Sequence, residues 1–271
     1  MRKCHLYCLS TIVTNECNLD CAHCFRGQKN CATMSDEVIE NTLNQIESIG
    51  VLNIAGGEPT LAIDRIEKII DYIIRRRIKL DNFSIVINGT IYSQELLELL
   101  DEISKYIGDI EFHTLFTVSL DKYHLDEIKR LGLYKEFIEN LRRYRESKYF
   151  IFTSEDSRFK PFREGNAELL DRKSTVPLLT STPAITYIKD GKFDIKNGLC
   201  HIGPFITINP DGIMTDCNAS IAHQKTIYNY GSVLDETIED ICIRNRVRVL
   251  KPKQFTKAIK KQIHKFENYN R

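Results

Sequence analysis

Up to about residue 150, short runs of β-branched residues alternate with longer segments of helical periodicity, and this alternation constrains the fold more than any other feature. Such alternation is typical of parallel βαβ units. The predicted strands are Leu9–Thr14, Val51–Ala55, Phe83–Ile87, Thr114–Leu120 and Tyr149–Thr153. Predicted helices begin after Thr60 and Ser93, the second ending at Gly108, and a third runs from about Leu125 to Arg145. The sequence therefore predicts an α/β fold whose functional groups lie at the carboxyl ends of parallel strands.

The remainder of the chain has a different pattern. Residues 155–184 combine charge, proline and glycine with little periodicity, which predicts a linker or loop. A hairpin is predicted at Ile185–Ile195, and a second pairs Phe205–Ile208 with Gly212–Thr215. A helix is predicted from Glu236 to about Val249, before a basic tail. We therefore divide the chain into residues 1–184 and a smaller extension, residues 185–271.

Composition excludes few functions. The 271 residues carry a formal net charge of +1 and are 42% hydrophobic, an ordinary balance with no overall bias towards nucleic acid or membrane. The apolar run Ile66–Ile74 is interrupted by Lys68 and Asp71, so no membrane-spanning segment is expected. The N-terminus lacks the apolar region of a signal peptide, so a cytoplasmic location is expected.

Nine cysteines are many for such a chain, and in a reducing compartment clustered cysteines indicate metal ligands. Cys17, Cys21 and Cys24 are spaced closely enough to bind one cluster or ion. Iron–sulfur clusters usually have four cysteine ligands, so three would leave one iron open to a small molecule. Structural zinc prefers four closed ligands, which His23 or Cys31 could complete, so zinc stays an alternative here.

The Cys-x3-Cys-x2-Cys pattern, with His23 at an aromatic-type position, resembles the signature of the radical S-adenosylmethionine (SAM) superfamily. The likeness continues at Gly56-Gly57-Glu58-Pro59 after the second predicted strand, a segment that contacts the SAM amino group in that family. It continues more weakly at later positions similar to those that contact the SAM ribose and carboxylate: Asn88-Gly89-Thr90, Ser119 and Asp121. The resemblance implies a partial (βα) barrel of usually six strands, of which five are visible in this sequence.

The resemblance also implies an activity. Cys17, Cys21 and Cys24 would hold a 4Fe-4S cluster that reductively cleaves SAM to a 5′-deoxyadenosyl radical, which abstracts a hydrogen atom from a substrate. A one-electron reductant such as flavodoxin or ferredoxin would be required. The barrel would orient the radical and exclude water, whereas the chemistry belongs to the cofactor.

A second resemblance concerns residues 200–245, which are similar to the start of a SPASM/twitch extension. In such extensions cysteines bind an auxiliary iron–sulfur cluster, and the candidates here are Cys200, Cys217 and Cys242. Three interpretations stay open: an auxiliary cluster with an unusual fourth ligand, a degenerate extension without metal, or a cysteine that donates a hydrogen atom. Cys4, Cys8 and Cys31 are interpreted as ordinary cysteines, although Cys4 and Cys8 could reach a cluster.

Enzymes with both signatures often modify peptides or proteins, so a peptide-modifying maturase is the leading hypothesis. The first strand begins so early that a peptide-recognition protein would be separate. A small molecule, sugar, nucleoside or nucleic acid is the alternative substrate. The segment Arg244–Arg271 contains ten Lys or Arg and one acidic residue, Glu267. This charge indicates either a solvated amphipathic helix or a surface for an anionic partner. A zinc-binding module for nucleic acid is the alternative outside enzymes.

Overall fold

The computed structural model describes residues 2–108, 113–152, 160–177, 183–215, 221 and 229–267. Within these residues the helices are α1 Asp36–Leu43, α2 Ile63–Arg76, α3 Gln94–Ile107, α4 Lys122–Arg130, α5 Tyr134–Tyr144, α6 Ile238–Arg244 and α7 Pro252–Glu267. The strands are β1 Cys4–Ile12, β2 Ile46–Ala55, β3 Lys79–Ile87, β4 Thr114–Val118, β5 Phe150–Phe152, β6 Ala184–Lys189, β7 Lys192–Phe193, β8 Leu199–Gly203, β9 Ile206–Ile208, β10 Ile213–Thr215, β11 Gly231–Ser232 and β12 Arg248–Val249.

Five parallel strands form one side of the sheet in the order β1-β2-β3-β4-β5, with each strand paired to the next and β5 at the edge. The predicted α/β class and its five strands are therefore confirmed. The other edge of β1 pairs in parallel with β8 and then with β9, so the C-terminal segment joins the same sheet. Strands β9 and β10 form the predicted antiparallel hairpin, and β6 with β7 form the other. The division at residue 184 stays a prediction.

The two faces of the parallel strands differ in polarity. One face carries Leu9, Leu52, Phe83 and Phe116, all 0–1% exposed and part of one hydrophobic core with the apolar residues of α2 and α3. The opposite face alternates with it and is more polar. Because successive strand residues point to opposite sides, the pattern of β-branched and polar residues determines which face the helices cover.

Two predicted helices end elsewhere than the sequence suggested. The helix predicted from Leu125 to Arg145 is two helices, α4 and α5, because Gly132 adopts a left-handed conformation with φ of 75° between them. The helix predicted from Glu236 to Val249 is shorter in the structure, where α6 spans Ile238–Arg244. Thr237 caps α6, Arg246 is left-handed at φ 56°, and β12 then pairs with β6.

Other elements were missed or too short. Helix α1, capped by Ser35, was not predicted, and neither was β8. Strands β1 and β2 begin five residues before the predicted starts. The expected loop at residues 155–184 contains, in its described part, two short 3-10 turns at Gly165–Leu169 and Arg172–Ser174. Thr153, the predicted end of β5, lies outside the described residues.

Helix α7 in the basic tail is amphipathic, as the sequence indicated. Its buried side chains Phe255 and Ile259 pack with Ala184, while Tyr7 and Leu250 contact the same cluster. Among the described residues, no helix is long and apolar enough to cross a membrane.

Two histidines on neighbouring strands predict a pH dependence of stability. His5 and His201 are register partners in β1 and β8, with ring centroids 4.8 Å apart. Burial, and then the charge of His5, lower the pKa of His201 to about 4 from an unfolded value of 6.5. The unfolded state therefore binds more protons between these values, and the free energy of unfolding falls as pH drops from 6.5 towards 4.

We expect the His201 contribution to be about 1 kcal/mol after allowance for partial exposure. Urea unfolding of the metal-free protein at pH 7 and pH 4.5 measures it, and His201→Gln should reduce the loss between the two pH values. The exposed His264→Gln is the control. An equal loss in wild type and His201→Gln would contradict the assignment.

Candidate active site

The loop after β1 carries the three predicted cluster ligands close together. Cys21 is buried, 5% exposed, whereas Cys17 and Cys24 are half-buried. The Cys24 N–H donates to the Cys21 carbonyl at 3.1 Å, which closes a tight turn between them. Burial raises the pKa of Cys17 to about 11. Burial raises the pKa of Cys21 further, and the charges of Cys17 and Cys24 add to that increase. Binding of a metal or cluster to these residues as thiolates therefore displaces their protons.

A second set of potential metal ligands lies close to the three cysteines. A tetrahedral zinc ion holds sulfur ligands about 4 Å apart, given bonds of about 2.3 Å. Among the described residues, the three potential ligands within 4.8 Å of one another are Cys21, His23 and His124. That set contains one of the three cysteines. The cysteine triad and the Cys21, His23 and His124 set are therefore two different candidate ligand sets that share Cys21.

Gly56 and Gly57 support the backbone that leads into this loop. The Gly57 N–H donates to the Thr14 carbonyl at 2.7 Å. A Cβ on Gly57 would lie 2.2 Å from the Glu16 carbonyl oxygen, and one on Gly56 would lie 2.8 Å from that of Thr14. Only glycine permits this approach, so the Gly-Gly pair holds the chain immediately before Cys17.

Glu58 is fully buried, and both its oxygens accept internal hydrogen bonds. Oε1 accepts from the Thr60 N–H at 3.0 Å and the Thr60 hydroxyl at 2.6 Å, while Oε2 accepts from the Asn88 N–H at 2.7 Å. Burial raises the pKa of Glu58, and these donors oppose the shift. In this arrangement the carboxylate joins the ends of β2 and β3. Its contact with the SAM amino group stays a prediction.

Asn88 connects that carboxylate to the cysteine loop. Its Nδ2 donates to Asn18 Oδ1 at 2.8 Å and lies 3.9 Å from Cys17 Sγ, and its Oδ1 accepts from the Thr90 N–H and hydroxyl. Asn18 in turn donates to the Thr90 hydroxyl at 2.7 Å. Thr90 belongs to the Asn88-Gly89-Thr90 segment that the sequence indicated, whereas Asn18 was not identified from the sequence, although it lies next to Cys17.

At the end of β4, Asp121 and His23 come together. Asp121 caps α4 by accepting from the Tyr123 and His124 N–H groups, and it pairs with the His124 ring. Burial opposes its charge, but the bond to His124 lowers the pKa of Asp121 to about 2. The His23 ring stacks on the Tyr123 ring with centroids 4.8 Å apart, and His23 Nε2 lies 3.5 Å from Asp121 Oδ1. Burial lowers the pKa of His23 to about 4. Ser119 is 9% exposed and donates its N–H to Ile87.

Residues distant in sequence hold the cysteine loop from the other side. The Asn166 N–H donates to the Cys24 carbonyl at 2.9 Å, and its Nδ2 donates to the Cys21 carbonyl at 3.1 Å. A Cβ on Gly165 would lie 2.5 Å from the Phe25 carbonyl oxygen. Arg26 donates to Asn15 at 2.8 Å. The predicted linker therefore contributes to the site, which no local sequence signal indicated.

The C-terminal cysteines lie elsewhere. Cys200 and Cys242 are 0% exposed in the hydrophobic core, and Cys4 is the register partner of Cys200 across β1 and β8. A hydrogen bond with Cys4, and then burial, raise the pKa of Cys200, and burial raises that of Cys242 to about 12. Cys217 lies outside the described residues. The auxiliary cluster stays a prediction.

Comparison with known proteins identifies the class. The sequence model of the radical SAM superfamily matches residues 11–154, which are more than half of the chain. This span contains the cysteine loop and the ends of β2, β3 and β4. The chain belongs to the radical SAM superfamily. Membership implies an enzyme that uses SAM and a 4Fe-4S cluster.

Particular relatives are more distant. The uncharacterized protein MJ0907 of Methanocaldococcus jannaschii is 28% identical over 128 residues, 44% of this chain, and the chain spans 40% of that relative's length. A solved structure described as native anSMEcpe with bound AdoMet and Cp18Cys peptide aligns with a TM-score of 0.48 at 15% identity, over 95% of this chain and 83% of that one. Streptococcus suis SuiB bound to precursor peptide SuiA aligns with a TM-score of 0.41 at 14% identity, over 88% and 64%. These TM-scores are below 0.5, so the assignment depends on the family match.

Proposed function

We propose that this protein is a radical SAM enzyme that cleaves SAM reductively and abstracts a hydrogen atom from a peptide or protein. The observation that carries the proposal is the placement of Cys17, Cys21 and Cys24 on one loop after β1, with the Asn88 amide 3.9 Å from Cys17 Sγ. Three cysteine ligands leave one iron for the SAM amino and carboxylate groups.

When bound, the cluster and SAM supply one-electron cleavage to a 5′-deoxyadenosyl radical. The chain's own residues bind and orient. The three thiolates hold the cluster, and Gly56 and Gly57 keep the preceding backbone in place. The network of Glu58 and Asn88 joins two strand ends to the loop. Candidate SAM contacts are Glu58, Asn88, Ser119 and Asp121, with His23 beside them.

The peptide part of the proposal depends on the resemblance of residues 200–245 to a SPASM/twitch extension, in which β9 and β10 make the hairpin. A small molecule, sugar or nucleoside is the alternative substrate. We also propose a one-electron donor such as flavodoxin or ferredoxin, and a separate peptide-recognition protein. The lysines of α7 are a candidate surface for an anionic partner.

The test is metal analysis of the wild-type protein, purified without oxygen and reconstituted with iron and sulfide. We expect about four irons and four sulfides per chain for the first cluster, and 5′-deoxyadenosine when dithionite and SAM are added. A total near eight would add an auxiliary cluster, which Cys217→Ala should remove if that cysteine is a ligand.

Stoichiometric zinc without sulfide, and no product from SAM, would contradict the proposal. Cys21, His23 and His124 would then be the natural zinc ligands, because their ligand atoms lie within 4.8 Å of one another. That result would favour the zinc-binding module instead.

A further inference from the structure

The polar face of the parallel sheet carries one row of matched side chains. Thr207, Ser10, Asn53 and Ser84 are successive register partners across β9, β1, β2 and β3. Their neighbours along each strand point to the apolar, helix-covered face, where Leu52 and Phe83 are 0–1% exposed. We call Ser10, Asn53 and Ser84 the polar row.

The polar row is internally ordered by hydrogen bonds. Asn53 Nδ2 donates to the Ser10 hydroxyl at 3.1 Å, and the Ser84 hydroxyl donates to Asn53 Oδ1 at 2.9 Å. These two bonds determine which way the Asn53 amide points. A carboxamide has two N–H donors and two oxygen lone pairs, so one of each is not used by the polar row.

Part of the polar row is accessible, on the sheet face that leads to the candidate active site. Ser10 is buried, whereas Asn53 and Ser84 are half-buried, and Val86, the next residue of β3 on that face, is 40% exposed. Parallel sheets are normally buried on both faces, so exposure here indicates a face that receives a ligand. The face continues from Ser84 through Val86 to Asn88, about 13 Å at 3.3 Å per residue, and Asn88 lies beside Cys17.

We propose that the polar row is a specificity site for the main chain of the substrate, with the remaining N–H and oxygen lone pair of Asn53 pairing with the C=O and N–H of one extended peptide residue. Val86 contacts the adjoining hydrocarbon. The inference depends on the proposed function, because it places the substrate between the polar row and the cysteine loop. It makes Asn53 a specificity residue, and it favours a peptide over a sugar, since an extended peptide residue presents one donor and one acceptor on the same side of the chain.

The test measures binding of a capped trialanine, N-acetylated and C-amidated, to the reconstituted holoenzyme by saturation-transfer NMR. Asn53→Leu removes both hydrogen-bonding groups, whereas Asn53→Asp preserves shape and removes the donor. We expect each to raise the Kd of the peptide at least about tenfold, the loss expected for a partly buried hydrogen-bonded pair. Asn82→Leu is the matched control on the same face, since Asn82 pairs with Val51 rather than with the polar row, and it should change the Kd less than about twofold.

Iron content, thermal unfolding and 5′-deoxyadenosine formed without peptide are measured on every variant. In Asn53→Asp we expect these to match wild type while the KM for the peptide rises. Peptide binding that ignores both Asn53 variants, or wild-type binding of methyl glucoside or uridine with none of the capped trialanine, would overturn the inference. Absence of iron and of SAM cleavage in wild type would instead overturn the proposed function, whatever the peptide result.

Discussion

Replacing Cys17, Cys21 and Cys24 together with alanine is expected to abolish SAM cleavage, reducing 5′-deoxyadenosine formation to the level without enzyme. The three thiols lie on one loop and must act as a unit, so each single variant should be nearly as inactive as the triple variant. About four irons per chain should be lost at the same time. Product formation is measured by chromatography after addition of dithionite and SAM.

Cys31→Ala is the matched control, because Cys31 is exposed and lies seven residues after Cys24. It should retain wild-type iron and activity. If the triple variant still cleaved SAM, or if Cys31→Ala lost iron in its place, the assignment of the cluster ligands would be wrong.

Replacing Glu58 with alanine is expected to lower the free energy of unfolding by about 3–5 kcal/mol, the cost of breaking a buried charged network. The change leaves the Thr60 N–H, the Thr60 hydroxyl and the Asn88 N–H without their acceptors in a fully buried position. Urea unfolding of the metal-free protein measures it. Glu40→Ala, at an exposed position of α1, should change stability by no more than about 0.5 kcal/mol.

Glu58→Gln separates the two roles of this carboxylate. A carboxamide preserves one acceptor but directs an N–H at a donor, so we expect a loss of about 2 kcal/mol even without SAM. A charge that acts only on the SAM ammonium group would instead weaken SAM binding and leave the unfolding of the metal-free protein unchanged. That second result would contradict the structural role assigned here.

The arrangement of the parallel strands was predictable because each strand and helix has a strong local signal. The β-branched runs of β1 to β5 and the isoleucine and leucine stripes of α2 and α3 determine which face is buried. Boundaries were less predictable. Gly132 interrupts one predicted helix and Arg246 ends another, since a single left-handed residue outweighs helical periodicity.

The candidate site was predictable at the level of motifs but not of contacts. The cysteine spacing and Gly56-Gly57-Glu58 could be recognised because residues close in sequence must be close in space. That Asn166 donates to the cysteine loop, and that Cys200 packs against Cys4, could not be recognised, because these partners are separated by many residues.

The sequence by itself therefore determined the class of fold, the parallel βαβ units and the cysteine loop at the end of β1. Only the tertiary structure decided that Glu58 is enclosed by internal donors, that the C-terminal strands pair with β1, and that Asn53 lies in a row with Ser10 and Ser84. The physical reason is the distance along the sequence over which each effect acts. Periodicity and spacing act within one segment, whereas strand register and burial are determined by the sum of packing across the whole sheet.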